Sequence, residues 1–285
     1  VALRGGSAAV EPSAPALNPN AKPRPTQEHS WLKELIDAPR PTDVFKGAFD
    51  VFADEISKGT VPVEAWGPFL EGIQDACEDA IETFKREYQK KLINDSGRRR
   101  GVFIVVLEGA GLKVRTPLCQ GLQAAGRNVT AVDFPPHSAT TPTRRIIKEI
   151  ESCGRPIDRK TRHCLRAACR WECAVAIRDL LSQGVDLVAG NSYTFCDVAR
   201  STSEFQKLSP KWCKELEQGL PAPDCVLYIE GDARDPREGD VAALRDDSWI
   251  TLASSGEEAV GEALAKALAV CEAERPPRRH LWPDL

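Results

Sequence analysis

The chain has 285 residues, 42% hydrophobic and 28% charged, with a formal net charge of −4. It can bury a substantial core, and its longest apolar run is far short of a bilayer span, which argues against a transmembrane segment. The acidic balance argues against a nucleic-acid-binding surface spread over the whole protein, and the basic clusters Arg98 to Arg100 and Arg275 to His280 read as solvated charge.

Residues 1–30 repeat Pro, Ala and Asn without a hydrophobic pattern, which predicts an extended or disordered arm that orders only against a partner. Trp31 to Ile36 reads as a short helical anchor. From Thr42, an N-cap, Phe45, Phe49, Phe52 and Ile56 recur at three- and four-residue spacing and predict an amphipathic helix ending near Gly59. A second helix follows Pro68, with Phe69, Ile73, Cys77, Ala80, Phe84 and Tyr88 on its apolar side. Together they predict a helical hairpin within an N-terminal extension, residues 31–97. The apolar stripes must be covered, and two covers stay open at this point: the chain's own following domain, or another protein. The sequence contains no methionine and starts Val-Ala-Leu-Arg, which is consistent with a removed targeting segment and predicts a mitochondrial location; a trimmed chain would start the same way.

Val102 to Leu107 is a short β-branched run that passes through Glu108-Gly109 into a helix-compatible segment, giving strand, loop, helix. That is the layout of a phosphate-binding loop, GxxxxGK[ST], in which glycines free backbone N–H groups for phosphate, Lys reaches the terminal phosphates and a hydroxyl holds magnesium. Counted from Gly109, the second glycine position holds Val114, the lysine position Arg115 and the hydroxyl position Thr116, followed by Pro117. A β-branched residue at a position suited to positive φ predicts a changed loop shape at Val114. Arg115 keeps the charge on a longer, planar head. Further strands are predicted at Val129 to Phe134, Asp186 to Ala189, Val226 to Ile229 and Trp249 to Leu252, with helices at Lys160 to Gln183 and Glu257 to Ala273. This alternation predicts an α/β domain, residues 98–285, with a parallel sheet flanked by helices on both faces. The ten cysteines contain no CxxC pair and read as small core residues of a reducing compartment; no metal site is predicted.

From Arg100 onward the chain resembles the thymidylate kinase family. The resemblance is carried by FIVVLEG at the first strand, by Arg170-Trp171-Glu172, by Leu180 to Val188, and above all by Leu208 to Ile229, LSPKWCKELEQGLPAPDCVLYI. It implies a P-loop kinase arrangement of the sheet. It also implies Gly-Lys-Ser/Thr in the loop, Asp-Arg-Tyr after the third strand, an Arg after the Phe-Pro turn, an aromatic ring that stacks on thymine, and an arginine-bearing lid. At those places this chain has Val114-Arg115-Thr116, Gly190-Asn191-Ser192-Tyr193, His137 and Arg166, and only about Glu230 to Asp247 stands where the lid would be.

Phosphoryl transfer is mostly positioning and charge neutralisation, so these changes lead to the expectation of a non-catalytic, thymidylate-kinase-like pseudoenzyme. Gly109, Gly111, Arg115, Thr116 and Arg170 are then candidate residues for residual nucleotide binding, with no catalytic residue, metal or other cofactor. The expected role is that of an accessory subunit of a larger, mitochondrial assembly, with respiratory complex I as the first guess, joined to other subunits through the N-terminal extension. The alternative is an active or nucleotide-binding nucleoside monophosphate kinase that uses Arg115, Thr116 and Arg170.

Overall fold

A computed structural model of the chain describes residues 42–93, 101–107, 113–134, 141–203, 207–229, 241–252, 256–273, 280–283 and 285. The expectations for the 1–30 arm, the Trp31 anchor, Arg98 to Arg100, Gly109, Gly111, His137 and most of the lid stretch fall outside these residues.

Among the described residues, the hydrophobic, β-branched runs form five parallel strands: β1 (Val102–Leu107), β2 (Val129–Val132), β3 (Leu187–Asn191), β4 (Cys225–Ile229) and β5 (Trp249–Leu252). Their order is β2-β3-β1-β4-β5, with Val105 of β1 in register with Gly190 on one side and Val226 on the other. All six β1 residues are buried, as a parallel strand with both faces covered must be. Because side chains alternate along a strand, β1 feeds two cores. Val102, Ile104 and Val106 join Leu118 and Leu122 of α3 (Arg115–Ala124) and Ala259, Ala263 and Ala267 of α8 (Gly256–Glu272). Phe103, Val105 and Leu107 face the larger core on the other side.

That larger core contains the N-terminal helices. α1 (Thr42–Lys58) packs on α4 (Pro142–Cys153), and α2 (Trp66–Ile93) packs on α5 (Arg159–Ser182). Phe49, Ala53 and Ile56 of α1 and Ile73, Cys77, Ala80, Phe84 and Tyr88 of α2 are all buried in one cluster with the sheet. Of the two covers left open by the sequence, the chain supplies its own. The joint is also polar. The Trp66 indole donates to the Pro156 carbonyl at 2.7 Å. Arg155 lies over the same indole at 4.9 Å and donates to the Val61 carbonyl at 2.7 Å. On the surface, Arg145 pairs with Asp50 at 2.8 Å and with Asp54.

Three helices were not placed by the sequence reading: α4, α6 (Phe195–Thr202) and α7 (Pro210–Glu217). Two of them carry plain start signals. Thr141 and Ser209 each cap a helix through the side-chain oxygen, with proline in the first turn behind them. Gly154 closes α4 with φ +67, a left-handed position that favours glycine. Two strands also differ from expectation. β2 ends at Val132 rather than Phe134, because the Phe134 N–H leaves the ladder and donates to the Asn191 side chain at 2.8 Å. β3 runs to Asn191 rather than Ala189. Among the described residues no helix is long and apolar enough to cross a membrane.

Candidate functional site

Of the residues marked by the sequence, Arg115 stands at the carboxyl end of β2. Gly109 and Gly111 lie outside the described residues, so the loop is seen only from Lys113 onward. Val114 sits at the N-cap of α3 with φ −87 and ψ −35, an ordinary right-handed conformation, and its side chain is buried with Leu118. It offers no side-chain acceptor to the first turn of the helix. Arg115 and Thr116 are the first two residues of α3, and Thr116 is exposed.

Arg115 is not directed along the helix axis. Its Nη1 donates to the Val132 carbonyl at 3.0 Å, and its Nη2 donates to Asp133 Oδ1 at 2.5 Å. The guanidinium is thus tied to the end of β2. That end is itself fixed from the far side by the Phe134–Asn191 hydrogen bond.

Arg170 belongs to another cluster. It is 1% exposed on α5, and its guanidinium is shared between two carboxylates. Nε donates to Glu217 Oε2 at 2.9 Å, Nη2 donates to the other Glu217 oxygen, and Nη1 donates to Asp197 Oδ2 at 2.5 Å. Asp197 also accepts from Arg166, and Arg200 stands 3.9 Å away. Burial alone would raise the Asp197 carboxyl, but the Arg170 and Arg166 guanidiniums outweigh it and hold the group well below its ordinary value. Burial likewise works to lower the Arg170 guanidinium, and Glu217 and Asp197 reverse that and raise it. Beside this cluster, buried His163 contacts Ser201 Oγ at 2.9 Å and the Cys213 carbonyl at 3.3 Å, and burial lowers its imidazole from the ordinary value.

At the end of β3, Gly190 has the ring of Phe134 at 2.9 Å and that of Phe103 at 3.3 Å from where a Cβ would stand. A side chain there would have to displace aromatic rings. Ser192 and Tyr193 follow with φ 49 and 48, and the Tyr193 ring lies 5.2 Å from Phe103 and 4.9 Å from Phe134. Its hydroxyl donates to the Pro221 carbonyl at 3.1 Å.

The sequence reading named Arg115 and Arg170 but not the acids that hold them, Asp133, Asp197 and Glu217. Asp133 had a legible signal, a carboxylate directly after the second strand and near the loop; Asp197 and Glu217 had none. All ten cysteines are free thiols, seven of them buried. Among the described residues no group of three or more His, Cys, Asp or Glu is placed to hold a metal ion.

A five-stranded parallel sheet in this order, flanked by helices, with its central strand followed by a helix that starts Arg115-Thr116, is consistent with a P-loop kinase fold. Within that class the chain is thymidylate-kinase-like, and the resemblance read from the sequence is borne out. It is 35% identical to human (Homo sapiens) thymidylate kinase over 136 residues, 46% of this chain and 62% of that protein. It is 33% identical to the thymidylate kinase of Danio rerio over 136 residues, again 46% and 62%. To the thymidylate kinase of Dictyostelium discoideum it is 30% identical over 142 residues, 48% of this chain and 61% of that one. The chain thus spans about three fifths of the length of the curated relatives it matches. A solved thymidylate kinase structure from Candida albicans superimposes with a TM-score of 0.48 at 19% identity, covering 65% of this chain and 99% of that one. No protein-family model matches the chain.

These relatives correct one expectation. The reading of the chain as no enzyme rested on substitutions counted along the loop, the Asp-Arg position and the lid, but the proteins it matches at 30–35% identity are named as kinases. Part of what was counted lies outside the described residues, including 108–112 and 230–240. What is described keeps the strand, the helix and a cation at the helix start. Altered letters are not by themselves a measure of lost chemistry.

Proposed function

We propose that the chain binds a nucleotide through the N-terminus of α3 and transfers a phosphoryl group to a nucleoside monophosphate, with thymidylate the first acceptor to try. The observation that carries this reading is the 35% identity to a thymidylate kinase over 136 residues. The site supports it with the start of α3, where the N-cap residue Val114 makes no side-chain cap and the helix dipole favours an anion, and with Arg115 as the adjacent cation. Thr116, exposed beside it, is the hydroxyl that would face a magnesium–nucleotide complex. Gly109 and Gly111 would allow the backbone to approach phosphate, and Arg170 orders the helices behind the site. Incubation of the purified chain with dTMP, ATP and magnesium tests the proposal. Transfer above background that is lost in Arg115→Ala, with the variant's melting temperature unchanged, supports it. Absence of transfer at millimolar substrate overturns it.

A second role, membership of a larger mitochondrial assembly such as respiratory complex I, is supported by the N-terminal extension. Of the three large hydrophobic residues exposed among the described ones, Val51 and Val63 lie there, at 58% and 78% exposure. Co-migration with a membrane complex in fractionated mitochondria would support this role, and a free protein elsewhere in the cell would remove it.

A further inference from the structure

The contact between Arg115 and Asp133 has a consequence for any phosphate that arrives at α3. A guanidinium is always charged and offers its donors in a fixed planar fork, so two of its N–H groups committed to a carbonyl and a carboxylate are unavailable to a third oxygen in the same plane. Asp133 is not a freely swinging side chain. It sits between Val132, whose carbonyl accepts from Arg115, and Phe134, whose N–H is held by Asn191. The pair is mostly shielded, with Arg115 at 18% and Asp133 at 33% side-chain exposure, so water weakens it only in part.

We propose that Asp133 competes internally with phosphate for Arg115, holding its guanidinium against the end of β2 so that an anion at the start of α3 gains the full charge of that cation by displacing a carboxylate. This rests on the nucleotide-binding reading above. The competition sets both affinity and choice. A singly phosphorylated ligand offers less charge against the carboxylate than a triphosphate does, so the device favours polyphosphates over monophosphates and over inorganic phosphate. Asp133 is therefore a positioning residue that sets specificity through Arg115 and does not itself touch the reacting atoms.

The test is calorimetric titration of the full chain with ATP, ADP and inorganic phosphate, in the unaltered protein and in Asp133→Asn, Asp133→Ser, Arg115→Ala and the Arg115→Ala/Asp133→Asn pair. Removing the competitor should tighten ATP binding about tenfold, the scale of one charge-assisted hydrogen bond, and should narrow the preference for ATP over phosphate. In the Arg115→Ala background the Asp133 substitution should change nothing, because the prize of the competition is gone. Asp133→Ser gives the same readout should Asp133→Asn fold poorly. Binding that is unchanged or weaker in the Asp133 variants, or a gain that persists without Arg115, overturns the competition while leaving nucleotide binding intact. Absence of binding in every protein, the unaltered chain included, removes the nucleotide-binding reading and this inference with it.

Discussion

Arg170 shows how strongly one buried charge can organise its surroundings. It is 1% exposed, and it ties α5 to α6 through Asp197 and to α7 through Glu217, which is itself fully buried. A buried ion pair gains little over an apolar substitute, but losing one member leaves the other charge stranded. Arg170→Ala is therefore expected to destabilise the protein by about 3–5 kcal/mol, measured as a loss in urea unfolding free energy. A double substitution that also removes Glu217 should recover part of that loss, since the stranded carboxylate goes with it. Arg170 could be picked out in the sequence by its place in Arg170-Trp171-Glu172. Its partners, 27 and 47 residues further on, could not, because separation along the chain carries no trace of which side chains meet once α6 and α7 dock on α5.

At the scale of elements, α1 and α2 are part of the same core as the sheet. The buried cluster is continuous from Phe49 and Phe84 through Leu165, Trp171 and Ile177 to Phe103 and Val105. Phe49→Ala and Phe84→Ala should each lower stability by about 3–5 kcal/mol, with a single cooperative transition in calorimetry. A separately melting N-terminal unit would show two transitions instead. Their apolar periodicity was legible because the period of 3.6 forces one face inward wherever the helix packs. The identity of the covering surface was not, since a stripe reports its own face and nothing about its neighbour. The sheet was legible for the same physical reason that it is buried: a run such as Val102–Leu107, short and rich in β-branched residues, suits a strand sealed on both faces better than a helix. Short helices escaped because eight residues hold barely two turns of pattern, and α6 also lacks a side-chain cap. In the candidate site, Arg115 could be found by counting positions from Gly109, whereas its orientation toward β2 arises from tertiary packing of α3.

For the molecule as a whole, the buried titratable groups predict a direction for acid stability. His163 is lowered from its ordinary value of 6.5, chiefly by burial. Below that value the unfolded chain takes up a proton that folded His163 takes up only at lower pH, so the unfolded state binds more protons and stability falls as pH drops. The slope reaches at most about 1.4 kcal/mol per pH unit for one group. Asp197 acts in the same sense further down: its contribution is present above its ordinary value of 3.8 and is lost as pH falls below it toward the depressed folded value. Urea midpoints should decline between pH 7 and 5, and His163→Gln should flatten that window while leaving the decline below pH 4 in place. An unfolding midpoint that rises on acidification would contradict the assignment of His163 as the neutral buried imidazole.

The indole of Trp171 is bracketed by Tyr88 on α2, whose ring also meets His280 near the far end of the chain. Leu281, next to that histidine, donates its N–H to the Leu220 carbonyl at 2.9 Å. Tyr88, Trp171 and His280 are thus brought together from three distant stretches of sequence. A clasp of such separated residues closes slowly, because the entropy of closing long loops is lost before the contacts that reward it are made, so assembly of this core is expected to be limited by that meeting and not by the winding of any one helix.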